Sequence, residues 1–192
     1  MTAIVGCSSR YTTVADDIFA EEDEEEYITM QELNLNPKPD TGRDDIGYCA
    51  ILIPAGFHRS EEIPGMYVSE LYPMDSSNIY YSVSDALSVG AIDDNLTAED
   101  YEKALESGFS SKGQNIDVTV DEFSKEEMEG VPCFKIRSHY SVGDENLQQL
   151  TYIILGSDTH VISYTQMSDD ELLADFLTDE GRIKLVRERS QA

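Results

Sequence analysis

Three histidines are the first groups to consider for chemistry, because imidazole acts as a general base and as a metal ligand near neutral pH. They are His58, His139 and His160, and each lies in or beside a different segment of strand-like sequence. His139 and His160 are placed to face each other across neighbouring strands, where a carboxylate would complete a transition-metal site. Strand histidines more commonly pair with a backbone group or with solvent. We therefore predict no metal and no cofactor, and keep these two histidines as the alternative.

Other catalytic signatures are absent from the sequence. It contains neither the G-x-S-x-G turn of a serine hydrolase nor the glycine-rich fingerprints of nucleotide binding. The acidic pair Asp93–Asp94 precedes a predicted helix, where the helix dipole accounts for it. We predict no catalytic residue and no enzymatic activity.

The three cysteines are too widely spaced for a zinc site or a disulfide framework. Cys49 and Cys133 lie in apolar runs, which favours two buried thiols over a bridge between them. Cys7 follows Ile4, Val5 and Gly6, and this stretch is similar to the lipobox of bacterial lipoproteins, in which the chain is cut before a cysteine that is then acylated. Cys7 is therefore the predicted lipid attachment site.

The residues before Cys7 bear on this prediction. A lipoprotein leader has a basic region and an apolar region of about 7–15 residues, whereas only three residues precede Ile4. We expect the printed chain to begin inside a longer precursor or at a misplaced start. The predicted location is extracytoplasmic, with a lipid anchor in the bacterial membrane. If Met1 is the native start, the alternative is a cytoplasmic protein.

Tyrosines form the densest aromatic group, at Tyr67, Tyr72, Tyr80 and Tyr81. Neighbouring residues of a strand point to opposite faces, so some of these rings must face outwards. Outward tyrosines suit contact with a protein or a glycan, and cross-strand packing within the sheet is the alternative. We take the four tyrosines as the candidate binding surface.

The composition describes a strongly acidic chain long enough for one good core. Its 192 residues include 13 Lys and Arg against 39 Asp and Glu, for a formal net charge of −26. Such a charge repels nucleic acid and anionic lipid, so contact with a membrane is expected only through the lipid anchor. The acidity favours solubility, with capture of cations or basic partners as the alternative.

The charge and the turn-forming residues divide the chain in two. A run of six carboxylates, Glu21–Glu26, opposes compaction, and two prolines and a glycine follow it. Residues 1–44 are predicted to be a truncated lipoprotein signal remnant followed by an acidic disordered tether. Within this arm, YITMQELNL is apolar enough to dock as a strand or helical turn. Residues 45–192 are predicted to form a single α+β domain with a short basic tail.

Hydrophobic periodicity predicts the elements of this domain. A first strand is expected in GYCAILIPAGF, a hairpin in MYVSELYP and IYYSVSD, and a helix after the N-cap Thr97, with Asp100 in a weak capping box. A meander of three or four antiparallel strands follows, from NIDVTVDEF to HVISYTQ. A second helix is expected to begin at Ser168. The basic tail, which contains Arg182, Lys184, Arg187 and Arg189, is expected either to end a helix or to contact the protein's own acidic surface.

This order of elements resembles the PsbP-like superfamily. The likeness is carried by strand-end and core positions: Ile51 to Phe57, Asp75 to Ile79, Gly130 to Tyr140, Gln149 to Ile153, and Val161 to Thr165. The resemblance implies an antiparallel sheet of six to seven strands flanked by helices, an α/β/α sandwich. The superfamily includes a photosystem II subunit, a Ran-binding nuclear-transport factor and many bacterial lipoproteins, and no calcium, chloride or manganese motif of the photosynthetic members is assignable here.

Two classes of function follow from these observations. The favoured one is an envelope lipoprotein that serves as a binding or accessory module for a protein or an envelope component. The alternatives are a metal-dependent hydrolase that uses the strand histidines, and a cytosolic adaptor or immunity-type protein. The sequence leaves the partner and the oligomeric state open.

Overall fold

The computed structural model of the chain describes residues 26–29, 46–85, 92–167 and 183–187. These residues form ten β-strands and one helix, α1 (Ala98–Ser110), which lies between the fifth and sixth strands. The strands are β1 (Glu26–Thr29), β2 (Ile46–Ile53), β3 (Phe57–Arg59), β4 (Met66–Ser69), β5 (Asn78–Asp85), β6 (Val118–Met128), β7 (Val131–Val142), β8 (Glu145–Leu155), β9 (Asp158–Met167) and β10 (Ile183–Arg187).

Seven strands form one large antiparallel sheet in the order β3-β4-β5-β9-β8-β7-β6. The predicted hairpin is confirmed as β4 and β5, and the predicted meander as the four consecutive strands β6 to β9. Ile79 and Tyr81 lie on the same face of β5, as their spacing predicts, and both are fully buried. The α+β class and the sheet of about seven strands are therefore confirmed.

A second sheet has three strands, in the order β1-β2-β10. The central strand β2 is the predicted first strand, and all eight of its residues are buried. β1 begins at the last residue of the acidic run, Glu26, and continues into the apolar segment that follows it. It pairs with β2, so this part of the predicted arm docks as a strand. Cys7, the rest of residues 1–44 and the predicted helix at Ser168 lie outside the described residues.

Of the two predictions for the basic tail, the structure contradicts the one in which it ends a helix. Residues 183–187 form the strand β10 against β2, so they do not end a helix. The other prediction, contact with an acidic residue of the protein itself, is confirmed for Arg187. Its Nη2 donates a hydrogen bond of 2.9 Å to the backbone carbonyl of Glu129, and its Nη1 lies 3.7 Å from the carboxylate of the same residue.

The main core lies between the two sheets. Cys49, Ile51 and Ile53 of β2 pack with buried residues of the large sheet that include Ile162 and Tyr164. Helix α1 lies on the opposite face of the large sheet, where its apolar residues pack against β6, β7 and β8. Within the described residues, one face of the large sheet is therefore covered by a sheet and the other by a helix.

Helix α1 begins where the sequence predicts. The Thr97 hydroxyl accepts a hydrogen bond from the backbone N–H of Asp100, and the Asp100 carboxylate accepts one from the backbone N–H of Thr97, which completes the capping box. Tyr101, Leu105 and Phe109 share one face and pack against the sheet. Across the described part of the chain, no helix is long and apolar enough to span a membrane.

The two outer strands of the large sheet differ in length. β3 has three residues, whereas β6 has eleven. The pairing of β6 with β7 shifts register between Val120 and Glu122, which marks a β-bulge. Five of the eleven residues of β6 are charged, and all five lie exposed: Asp121, Glu122, Lys125, Glu126 and Glu127.

Candidate functional site

The four candidate tyrosines lie in three different environments. Tyr67 and Tyr81 belong to the main core, with 9% and 0% of their surface exposed. Tyr80 is half-buried on the helix-facing side of the sheet. Tyr72 lies in the loop between β4 and β5 and is 62% exposed. The prediction of one four-tyrosine surface is therefore wrong, because alternation along β4 and β5 turns two of the rings into the core.

Tyr81 forms part of a buried polar network inside the main core. Its hydroxyl oxygen accepts a hydrogen bond of 2.8 Å from the backbone N–H of Cys49 and lies 2.8 Å from Nδ1 of His160. His160 is fully buried. Burial is the main cause that raises the pKa of Tyr81 well above its usual range, so the phenol stays protonated at neutral pH. This tyrosine links β2 of the small sheet to His160 on β9 of the large sheet, and it offers no surface to a partner.

The two cysteines on this side of the sheet are free thiols. Cys49 and Cys133 are both buried in the main core, which confirms the favoured prediction. Burial raises the pKa of each thiol to about 12. Both are therefore uncharged at neutral pH and too inert for nucleophilic catalysis.

The two strand histidines do not come together. Both histidines pair with residues of β8. His139 of β7 pairs with Gln148, whereas His160 of β9 pairs with Ile154. Gln148 and Ile154 are six residues apart, or about 20 Å along the strand. The alternative of a shared metal site is therefore wrong. His139 is exposed, and its Nδ1 instead lies 2.9 Å from the carboxylate of Asp121 on β6.

The most exposed apolar side chains of the described residues lie together in the β4–β5 loop. Leu71 is 61% exposed, Tyr72 62% and Met74 79%. Ile63, in the β3–β4 turn at the other end of β4, is exposed to a smaller extent, at 43%. We call Leu71 to Met74 the apolar tip. Clustered exposed apolar side chains mark contact sites more often than scattered ones do.

The apolar tip stands on a hydrogen-bonded base. Within the tip, the backbone N–H of Met74 donates to the carbonyl of Leu71 over 2.9 Å. The N–H of Glu70 donates to the carbonyl of Gly56, which ties the loop to the β2–β3 turn. Ser76 donates to the Glu145 carboxylate over 2.6 Å, which ties the loop to the start of β8. These hydrogen bonds restrain the conformation of the loop, and a restrained surface loses less entropy on binding than a flexible one does.

Asp75 fixes the C-terminal side of the tip. Its burial alone would raise its pKa, but hydrogen bonds from the Ser69 and Ser77 hydroxyls and from the Ser77 N–H outweigh this and lower the pKa of the carboxyl. Asp75 is therefore ionised at neutral pH. With the exposed Glu70 before the tip and Glu145 against its base, it forms an acidic rim around the apolar side chains.

Sequence reasoning found Tyr72 and missed Leu71 and Met74. Leu71 and Tyr72 were assigned to the predicted strand MYVSELYP, whereas the structure ends this strand at Ser69 and places both residues in the loop. The presence of three large apolar side chains within four residues was not taken as a signal. Loops of folded proteins are mostly polar. An apolar run inside such a loop is the pattern that predicts an exposed contact site.

No family model matches the chain, and no curated protein sequence matches it. Solved structures with a similar arrangement include PsbP of the cyanobacterium Synechocystis sp. PCC 6803, at 14% identity over 86% of this chain and 95% of that one, with a TM-score of 0.47. PA94 of Pseudomonas aeruginosa, a protein of unknown function, is 10% identical over 73% of this chain and 92% of its own, with a TM-score of 0.40.

A third similar structure is LpqN of Mycobacterium tuberculosis, a protein involved in cell envelope biogenesis. It is 15% identical over 92% of this chain and 94% of its own, with a TM-score of 0.39. One of these similar structures is itself a PsbP protein, and membership of the PsbP-like superfamily stays a prediction from the sequence. These likenesses concern the arrangement of strands and helix and assign no ligand, partner or activity.

Proposed function

We propose that the protein is a non-catalytic binding or accessory module of the cell envelope that engages a protein partner through its apolar tip. The observation that carries this proposal is the clustering of Leu71, Tyr72 and Met74 on a rigid base. Tyrosine and methionine are enriched at protein interfaces, and a few such side chains usually supply most of the binding energy.

The charge around the tip favours a protein over a lipid surface. No Lys or Arg occurs between Arg59 and Lys103, or between Arg137 and Arg182, so the loop and the strands beside it carry only acidic charge. An anionic membrane would repel this acidic rim, because neither segment contains the Lys or Arg side chains that attract anionic lipids. A protein pocket with apolar walls and a border of Lys or Arg would match the tip in both respects.

The proposed location rests on the sequence. A lipid on Cys7 would hold the domain at the outer side of the membrane, and the acidic arm behind it would serve as a tether. Metabolic labelling with an alkyne fatty acid in the native host tests this directly. We expect label on the wild-type protein and none on the Cys7→Ser variant. Label on neither protein would reject the anchor and favour the cytosolic alternative.

Site-specific photo-crosslinking tests the tip itself. With p-benzoylphenylalanine at position 72 or 74 in the native host, we expect one discrete protein adduct. The matched control is the same group at position 63, which is also an exposed apolar position but lies outside the tip. Adducts of equal yield at position 63, or adducts with lipid alone, would reject the proposal.

The partner recovered in this way allows a quantitative test with purified proteins. Tyr72→Ala and Met74→Ala should each weaken binding by about 1–2 kcal/mol, or roughly five- to thirtyfold, while Ile63→Ala should leave it unchanged. Because the rim is acidic and the partner's border basic, affinity should fall as salt rises to about 300 mM. Affinity independent of both tip substitutions would show that the partner binds elsewhere.

A further inference from the structure

A cleft of ≈510 Å³ lies between α1 and the large sheet. Tyr101, Leu105 and Phe109 of α1 line one side, and helix-facing residues of β5, β7, β8 and β9 line the other. The residues of the apolar tip take no part in it. Pockets that bind small molecules usually have volumes of about 300–1,000 Å³, and this cleft lies within that range.

The floor of the cleft is polar where a packed sheet face would be apolar. Polar side chains occupy successive cross-strand positions on four neighbouring strands, in two adjacent rows. The first row is Gln149, Thr165 and Asn78, continued beyond the cleft lining by Ser138, and the second is Thr151, Ser163 and Tyr80. Burying this band of polar side chains against a helix would cost free energy, whereas burying Val or Leu side chains at the same positions would not.

Hydrogen bonds organise this floor and connect it to the helix. The Tyr101 hydroxyl donates to the Gln149 side-chain carbonyl over 2.9 Å, and the Gln149 amide donates to the Thr165 hydroxyl over 2.9 Å. A chain of hydroxyls also runs from Tyr101 through Thr151 to Ser163, with separations of 3.0 and 3.1 Å. Ser163 is partly exposed at the end of this chain. A hydroxyl in such a chain has both a proton and lone pairs, so it can pair with either kind of ligand group.

Negative charge is kept out of the cleft. Although the chain has 39 carboxylates, none of the described residues that line the cleft is acidic, and the one charged lining residue is Lys112, which is exposed. The acidic residues of α1 are engaged elsewhere. Glu102 and Glu106 accept the backbone N–H groups of Val120 and Val118 on β6.

The phenols at the cleft add no charge either. Burial raises the pKa of Tyr101, and it raises the pKa of Tyr140 to about 12, so both stay protonated at neutral pH. An anionic ligand would meet the field of a protein with net charge −26. A cationic ligand would find no carboxylate among the described lining residues.

We propose that this cleft binds a small uncharged molecule that combines an apolar body with hydroxyl or carbonyl groups. The apolar body lies against Leu105, Phe109 and Tyr101, and its polar groups pair with Ser163 and Thr165 on the floor. This site is independent of the apolar tip, so loss of one leaves the other intact.

The first experiment uses the neutral fluorescent probe N-phenyl-1-naphthylamine. We expect saturable binding with one probe per chain and little change in affinity up to about 300 mM salt, because an uncharged probe is not screened. The anionic probe 8-anilinonaphthalene-1-sulfonate should bind at least about tenfold more weakly because of the acidic field. Equal binding of the two probes, or no saturable binding of the neutral one, would overturn the proposal.

Two matched helix variants locate the probe. Ala104 lines the cleft, whereas Ser107 is exposed one turn further on and does not. Ala104→Trp should fill the cleft and raise the dissociation constant at least about tenfold, and Ser107→Trp should change it less than about twofold. Both positions are exposed, so both variants should fold. Equal effects of the two substitutions would reject the cleft as the binding site.

A second pair of ligands tests the polar floor without altering the volume of the cleft. In displacement of the neutral probe, 2-naphthol should bind about five- to tenfold more tightly than naphthalene, because its hydroxyl pairs with the floor. Ser163→Ala should reduce this ratio to about twofold or less while leaving naphthalene binding unchanged. A ratio that Ser163→Ala does not alter would overturn the assignment of the floor.

Discussion

The two faces of the large sheet use neighbouring residues of the same strands in opposite ways. On β9, Ile162 and Tyr164 are fully buried against the three-stranded sheet, whereas Val161 and Ser163, which alternate with them, are partly exposed on the helix side. The first face is closed by apolar contacts and one buried tyrosine–histidine pair. The second has a polar floor and a cleft. The difference indicates that stability comes mainly from the first face, which leaves the second free to bind.

The largest effect should come from truncating an apolar residue of the closed face. Ile162→Ala should lower the free energy of unfolding by about 3–4 kcal/mol, because it leaves a cavity in a packed core. Val161→Ala, one residue away on the cleft face, should cost only about 1 kcal/mol, since its side chain is partly exposed. Urea unfolding followed by circular dichroism measures both. Equal losses would contradict the contrast between the two faces.

The next largest effect on stability should come from removing a tyrosine hydroxyl, and its size should differ between the two faces. Tyr81→Phe should cost about 2–3 kcal/mol, because it removes a partner from the buried Cys49 N–H and from the His160 ring. Tyr101→Phe removes a hydroxyl from the cleft side, where water can replace it, and should cost about 1 kcal/mol. The same unfolding measurement applies. A larger loss for Tyr101→Phe would reverse the assignment.

The buried thiols of the closed face predict a pH dependence in the alkaline range. Folding raises the pKa of Cys49 and Cys133 from 9.0 to about 12. Between these values the unfolded chain releases the proton and the folded chain keeps it, so stability is fully present below pH 9.0 and falls as the pH rises towards about 12. Each thiol should contribute about 1.4 kcal/mol per pH unit in this window.

Substitution of one thiol isolates its contribution to this slope. Above pH 9, Cys133→Ala should make the decrease of unfolding free energy with pH less steep by about 1.4 kcal/mol per pH unit, which corresponds to one proton. The tyrosines contribute equally to this slope in the wild-type protein and in the variant. Unfolding midpoints measured between pH 8 and about 11 give the slope. An unchanged slope would show that Cys133 is not protected from ionisation by burial.

The smallest effect on stability belongs to the apolar tip. Tyr72→Ala and Met74→Ala should each change the free energy of unfolding by less than about 0.5 kcal/mol, since both side chains are largely exposed. Tyr67→Ala, a tyrosine of the core five residues earlier, should cost about 3 kcal/mol or more. Thermal unfolding measures all three. A large loss for Tyr72→Ala would mean that the tip supports the fold.

Strands β4 to β9 and helix α1 were predictable because their local signals agree with their surroundings, whereas β3, with three residues, was not predicted. The capping box at Thr97 and the alternation of Ile79 and Tyr81 both correspond to what the structure contains. β10 was not predicted, since its basic residues were considered as a charge pattern, while pairing with the buried strand β2 decides its conformation. Non-local pairing of this kind leaves little trace in a single sequence.

The candidate site was less predictable than the fold. Sequence spacing placed four tyrosines in one group, but only position in the sheet decides that Tyr81 is buried and Tyr72 exposed. The histidine alternative failed for a similar reason, because facing strands were inferred without the register that separates His139 from His160 by about 20 Å. Register and loop geometry depend on tertiary contacts, which periodicity does not contain.

The β-bulge and the charged side chains of the outer strand β6 should also affect whether the protein aggregates. An unpaired strand edge is a template on which another chain can add its own strand and begin a fibril. Here four carboxylates and a lysine line the eleven residues of β6, so a second copy in register would bring like charges within a few ångströms of one another. The bulge also twists the edge away from the flat geometry that such stacking requires. Even at high concentration, this protein should stay as separate molecules instead of polymerising through this edge of its sheet.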